Sequence, residues 1–371
     1  MIISGISALL IFPPLLGAFL SGQPILQYTE FPPTTVYVQH ADFSPAHFAI
    51  LAVLITIALL PFIIRILTSQ DSAALPNAET PNKIFSFPWW GWIAIIVNIC
   101  SWIIAWNNFE WTHYLKRFTF SFLWISYTVI INAITFKRTG RSILTHQPTY
   151  FLMLFIASAV FWWFFEYLNR FVQNWYYEGV ENMSSFEYFL FATLPFSTVL
   201  PAVMSTCALL ETYPRLSAGL DHFIRINMKH TRIAGCVSLL MFTASLAGIA
   251  LFPDYLFPML WIAPLFIITS LRAMLGKTTL FTSLKHGYWQ RIFLLSLAGV
   301  MCGFFWEMWN FYSMPKWKYS VPFVQKFHLF EMPLLGYAGY IPFGWECAVI
   351  ADAVLDMTRK WRRAHPSTRT R

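Results

Sequence analysis

The stretch HFAILAVLITIALLPFIIRILT, residues 47–68, carries a single lysine or arginine in a run long enough to cross a lipid bilayer. A hydrocarbon core about 30 Å thick needs roughly 20 helical residues at 1.5 Å of rise each. Ten such apolar runs are read along the chain, at approximately 3–21, 47–68, 89–107, 118–136, 150–170, 187–210, 233–252, 255–273, 290–312 and 329–356. The proportions agree: 57% of the 371 residues are hydrophobic and only 11% are charged, far from a soluble average. The expectation is an all-α polytopic membrane protein of about ten transmembrane helices. The short alternating segments that a transmembrane barrel requires do not occur. The first run, with Pro13-Pro14 and small residues near Gly22, also fits a signal segment. It lacks a positive n-region, which favours a retained span.

Cys100, Cys207, Cys236, Cys302 and Cys347 stand singly inside apolar runs, without CxxC or Cys/His spacing. Neither a zinc site nor a disulfide framework is indicated, and no metal or other cofactor is expected. His40, Asp42 and His47 are read as a polar loop rather than a metal site. A formal charge of +8 invites a nucleic-acid partner, yet no basic patch accompanies a soluble domain. Membrane topology accounts for the charge instead. The loops that follow Arg65, Lys137, Arg215 and Arg272, with the tail from Arg359, gather nineteen of the 25 lysines and arginines. Lys116, Arg117, Arg170, Lys316, Lys318 and Lys326 fall on the opposite side. The positive-inside rule then predicts a multi-pass protein of the cell membrane with both termini cytoplasmic. Ten spans or eight satisfy that parity.

The chain also repeats itself. Glu166 and Asn169 in VFWWFFEYLNRF reappear as Glu307 and Asn310 in GFFWEMWNFY, an offset of 141. Pro201 and Pro342 share it, as do Glu211 and Asp352. WISYTVIINA at Trp124 resembles WIAPLFIITS at Trp261, SILTH ending at His146 resembles TSLKH ending at His286, and NWYY at Asn174 resembles KWKY at Lys316. A tandem duplication is expected: a two-helix N-terminal part (1–87), four-helix units at 88–214 and 232–358, and a basic cytoplasmic tail (359–371). An even number of spans per unit implies a parallel pseudo-twofold along the membrane normal.

Five acids are the candidate catalytic residues. The i, i+3 spacing puts Glu166 with Asn169, and Glu307 with Asn310, on one helix face. A carboxylate in apolar surroundings is costly unless protonated, paired or wetted, and an asparagine can donate to it. Such a pair also suits the simpler task of fastening two helices. Glu187 and Glu331 are read as opening the next helix, where an acid favoured by the helix dipole would also serve, with Ser184 or Ser185 as cap. Glu346 falls inside the last run behind Pro342 and Gly344, where a broken helix would expose backbone groups. Trp162, Trp163, Trp175, Tyr176, Trp306, Trp309, Trp317, Tyr319 and Tyr337 crowd these acids, either as an interfacial belt or as the wall of a pocket. Asn169, Asn310, Trp175, Trp306, Trp317 and Tyr319 are the candidate substrate-binding residues.

These stretches resemble the lycopene cyclase domain of carotenoid biosynthesis, a small multi-span unit that commonly occurs as two tandem copies. The resemblance rests on Phe165-Glu166, Trp175-Tyr176-Tyr177 and Glu187 in the first unit, and on Trp306-Glu307, Trp317-Lys318-Tyr319 and Glu331 in the second. The chain departs from that pattern in having single glutamates, followed by Tyr188 and Met332, where the family has proline and paired acids. The resemblance implies acid–base isomerisation or cyclisation of a polyene or isoprenoid lipid, without a redox cofactor, in a cavity open to the bilayer. A transporter or channel is the competing class, since duplicated bundles with intramembrane acids and broken helices also describe transporters. A non-catalytic membrane scaffold is the third.

Overall fold

The computed structural model describes residues 2–33, 36–69, 85–107, 109–112 and 114–364. The expected basic tail beyond residue 364 and Lys83 lie outside the described residues. Two helices come first, α1 (Ile2–Leu20) and α2 (Pro45–Thr68). A first set follows: α3 (Trp89–Trp106), α4 (Lys116–Thr139), α5 (Ile143–His146), α6 (Pro148–Val172), strand β1 (Trp175–Glu178), α7 (Ser185–Phe196) and α8 (Val199–Leu210). The second set comprises α9 (Thr231–Gly248), α10 (Pro253–Leu256), α11 (Met259–Met274), α12 (Gln290–Asn310), β2 (Lys316–Tyr319), β3 (His328–Leu329), β4 (Met332–Pro333) and α13 (Tyr340–Ala364).

Each of the ten apolar runs contains helix. Eight segments among the described residues are long and apolar enough to cross a membrane, counting α7–α8 as one and α13 with the 3-10 turn before it as another. The apolar parts of α1 and α11, Gly5–Leu20 and Met259–Met274, are shorter. The chain is an all-α polytopic membrane protein, and its apolar outer faces are those that contact lipid. Helix α2 shows this most plainly. None of its residues is buried, so a soluble environment would leave 24 largely apolar residues in water.

Contacts between helices come in matched pairs. Helix α3 packs on α4 as α9 packs on α11, α6 packs on α8 as α12 packs on α13, and α12 meets α8 as α6 meets α13. Strands β1 and β2 close the pattern at one end of the bundle. They pair antiparallel with Tyr176 opposite Lys318, Trp175 opposite Tyr319 and Tyr177 opposite Trp317. Exchanging the two strands leaves that register unchanged. Lys318 reaches Glu178 at 2.9 Å, and this carboxylate holds the ammonium above the usual lysine range.

Local chemistry fixes the helix ends. Ser142 and Thr145 form a reciprocal cap on α5, and Thr279 and Thr282 do the same on the 3-10 turn at Leu280–His286. The two caps set Ser142 beside Thr279 as counterparts in the two sets. Between α7 and α8 the helix breaks after Pro195. The Ser158 hydroxyl on α6 bridges the break, donating to the Phe196 carbonyl (2.6 Å) and accepting from the Leu200 amide (3.0 Å). Lipid would leave both groups unsatisfied.

The last run begins differently from the expectation. Residues 328–333 form the β3–β4 hairpin, a 3-10 turn covers Leu334–Gly339, and α13 is continuous from Tyr340. Gly344 therefore marks a close approach rather than a break. A Cβ on Gly344 would meet the Leu295 carbonyl oxygen at 2.1 Å, and one on Gly299 would meet that of Tyr340 at 2.3 Å. Glycines at these positions bring the α12 and α13 backbones together.

Segment 36–44 crosses the strand end as a strap. Val38 accepts from Ser320 (2.6 Å), Ala41 accepts from the Phe323 amide (3.1 Å), and Phe323 accepts from the Ser44 amide (3.0 Å). His40 lies between Asp254 (2.7 Å) and the Gln173 carbonyl (3.2 Å), so the strap touches both sets of helices.

Candidate functional site

The two Glu/Asn pairs divide their labour. Asn169, at the end of α6, donates to the Trp175 carbonyl (2.8 Å), while its oxygen accepts from the Asn174 (2.9 Å) and Trp175 (3.3 Å) amides. Asn310, at the end of α12, donates to the Trp317 carbonyl (2.8 Å) and accepts from the Trp317 amide (3.0 Å). Each asparagine clasps the strand that follows its own helix, using side-chain groups that mimic a strand partner. This corrects the expectation that the asparagines hold the carboxyls. One helical turn earlier, the glutamates receive what the clasped strands deliver.

Glu166 Oε1 accepts from Tyr177 Oη (2.6 Å), Trp175 Nε1 (3.1 Å) and Trp162 Nε1 (3.2 Å). Glu307 Oε1 accepts from Tyr340 Oη (2.6 Å) and Tyr319 Oη (2.7 Å), and Trp317 Nε1 donates to that same Tyr319 hydroxyl (2.8 Å). Both glutamates are fully buried, and the Oε2 atom of each has no hydrogen-bond partner among the described residues. Burial pushes the Tyr177 and Tyr319 phenols well above the usual tyrosine range, and the adjacent carboxyls add to the effect. The phenols are thus neutral donors. The two sites differ in that Trp175 donates to its glutamate directly whereas Trp317 donates to the Tyr319 hydroxyl, and in the helix that supplies a further donor. Trp162 comes from α6 itself. At the matching position of α12 stands Gly303, and the Tyr340 ring from α13 lies over it.

A cavity of about 390 Å³ lies against both groups. Trp162, Trp175, Tyr177, Trp306, Trp317, Tyr319 and Tyr340 line it, together with Trp261, Phe196, Phe343 and aliphatic residues. Leu51 and Ile55 of the lipid-facing α2 form part of the same wall. Four of the expected binding residues, Trp175, Trp306, Trp317 and Tyr319, meet there. The carboxyls of Glu166 and Glu307 are not among the described lining residues; they stand behind their aromatic donors.

The other three acids lie elsewhere, which corrects the expectation of five carboxyls in one cavity. Glu187 caps α7, accepting from the Ser184 amide and hydroxyl (both 2.9 Å) while its own amide donates back to that hydroxyl. Glu331 opens no helix. It sits in the β3–β4 turn and pairs with Lys316 at 2.6 Å. Glu346 is fully buried in α13, and neither of its oxygens has a hydrogen-bond partner among the described residues. Its counterpart at the 141 offset, Ser205, accepts instead from Asn132 (2.8 Å).

Tyr340 is a site residue that the sequence did not single out, and Tyr177 entered there only as part of the Trp175-Tyr176-Tyr177 motif. Tyr177 carries a signal, because it follows Trp175 by two residues as Tyr319 follows Trp317. Tyr340 carries none, since the same offset lands on Val199. Fold and site together define a multi-pass α-helical membrane protein with two buried glutamate–tyrosine groups beside one aromatic cavity. Comparison with protein-family models, curated proteins and solved structures gives no match.

Proposed function

We propose that the cavity holds an elongated apolar lipid and that the two glutamate–tyrosine groups act on it by acid–base chemistry. The observation that carries this reading is the placement of Tyr177, Tyr319 and Tyr340 between the buried carboxyls and one shared cavity. A phenol in that position relays a proton. Tyr319 gives its proton to a carbon–carbon double bond as it takes one from a protonated Glu307, and the carbocation rests among tryptophan faces. Glu166, acting through Tyr177, accepts a proton from a neighbouring carbon. One proton is gained and one is lost, so the net change is isomerisation or ring closure without a redox cofactor. The resemblance to lycopene cyclase domains makes a polyene or isoprenoid chain the first substrate to test. We read the matched helix contacts as the tandem duplication expected from the sequence, and the strand end as the extracytoplasmic side of the cell membrane, with both termini cytoplasmic.

Transport is the second reading, favoured by Glu346, a buried carboxyl inside a span with no hydrogen-bond partner among the described residues. One comparison separates the two. Lipid extracts of cells expressing the wild type should contain a product that Glu307→Gln and Tyr319→Phe reduce by about 100-fold or more, the scale of general acid–base catalysis. Extracts identical with and without the protein, alongside ion flux in liposomes that Glu346→Gln abolishes, would replace the enzyme by the transporter.

A further inference from the structure

Another cavity, of about 560 Å³, lies between α11, the 3-10 turn at Leu280–His286, α12 and α13. Arg291, on its wall, belongs to the first turn of α12, whose other end leads to β2; the cavity is thus at the end of the bundle away from the strands. It shares no lining residue with the aromatic cavity. Four basic side chains line it, Arg272, Lys285, His286 and Arg291, against one acid, Asp352. Asp352 (2.6 Å) and the more distant Glu211 answer Arg291. Arg272 donates from Nε to the Thr278 carbonyl (3.1 Å), with Asp356 at 4.0 Å. Lys285 and His286 are exposed, and among the described residues neither has an acid within ion-pair distance.

The matched positions of the first set indicate what this cavity replaces. Trp124 packs on Trp306 as Trp261 packs on Phe165, each with ring centroids 4.9 Å apart, and the Ser142 cap corresponds to that of Thr279. At the same offset of 137, Asn132 of α4 corresponds to Thr269 of α11. Asn132 donates to Ser205 on α8 (2.8 Å) and accepts from the Leu144 amide on α5 (3.0 Å), so it fastens three helices. Thr269 lines the cavity, and among the described residues its hydroxyl donates only to carbonyls of its own helix, those of Leu265 and Phe266. Where the first set has a clamp, the second has open space. Charge arrives with the opening: Arg272 stands at the position of Thr135, and Arg291, at the offset of 141, at that of Tyr150.

We propose that this second-set cavity binds a phosphomonoester, its phosphate held by Lys285, His286 and Arg272. A phosphomonoester carries about −1.5 to −2 of charge at neutral pH, which suits basic groups that the neighbouring acids leave uncancelled. Basic pockets between the ends of membrane helices take lipid phosphates in this way. The cavity volume is that of a small-molecule site, for which ~300–1,000 Å³ is usual. The proposal is independent of the acid–base reading of the aromatic cavity.

Native mass spectrometry of the full chain in neutral detergent tests it, with phosphatidic acid and phosphatidylcholine of the same short acyl chains and with glycerol 3-phosphate. If the phosphate comes from a lipid, phosphatidic acid should bind at least about tenfold more tightly than phosphatidylcholine, the scale of one hydrogen bond to a charged group, and glycerol 3-phosphate should not compete. If it comes from a soluble ester, glycerol 3-phosphate should itself bind. Either signal should vanish in the double variant Lys285→Gln, His286→Gln at an unchanged melting temperature, and should survive Arg117→Gln, which alters the aromatic cavity. Equal affinity for the two lipids with no binding of glycerol 3-phosphate would overturn the proposal. So would a signal that the double variant leaves in place, or one that Arg117→Gln removes.

Discussion

Tyr340 reaches Glu307 by lying across Gly303: its hydroxyl donates to the carboxyl at 2.6 Å, and a Cβ on Gly303 would stand 2.2 Å from its ring. A helix glycine here makes space for the tyrosine ring. It lets a residue of α13 complete a group that α12 began.

Gly303→Ala should therefore expel Tyr340 and leave Glu307 with Tyr319 alone. The overlap should destabilise the protein by about 1–3 kcal/mol, the usual scale of overpacking. Thermal unfolding in detergent measures it, with Gly5→Ala as the comparison, because among the described residues no atom lies within 4 Å of a Cβ on Gly5. Equal melting temperatures for the two variants would show that the ring is not confined as described.

The asparagine clasps make a separate claim. Asn169→Ala and Asn310→Ala each remove a donor and an acceptor from a buried strand edge, and each should cost about 1–3 kcal/mol. Hydrogen exchange at the Trp175 and Trp317 amides should accelerate in the corresponding variant. Unaltered exchange would mean that β1 and β2 hold their places without the asparagines.

Orientation is open to labelling. With the native cysteines replaced, Lys326→Cys should react with an impermeant maleimide on intact cells, whereas Arg225→Cys should react only after lysis. Both positions are exposed in the fold, so access depends on the side of the membrane. The reverse pattern would invert the topology drawn from the basic loops.

Hydropathy made the spans legible because lipid imposes one rule on every residue of a run. Residues 47–68 could be read as α2 from composition alone. Polar residues follow local geometry, and there the reading was thinner. Glu187 looks like an N-terminal acid and is one, because its cap spans only three residues. Glu331 looked the same, yet its neighbours fold into a hairpin and its partner is Lys316, 15 residues back. The Glu/Asn spacing identified the right helix face, but the clasp depends on a strand that begins only after the chain has left the helix. Gly344 read as a weak point in α13 because its neighbour on α12 lies 49 residues earlier, at Leu295. Each failure involved a partner contributed by another element or by a turn that the apolar pattern does not encode.

The register of β1 on β2 ties the two acid groups into a single mechanical unit. Tyr176 and Lys318 sit at its centre, with Tyr177 and Tyr319 displaced from that centre in opposite directions along the ribbon. Sliding one strand along the other would draw a phenol away from its carboxyl and strain the opposite clasp. On the proposed function, a chain that wedged against Tyr177 would be felt at Tyr319, and filling one half of the cavity would set the geometry that the other half presents.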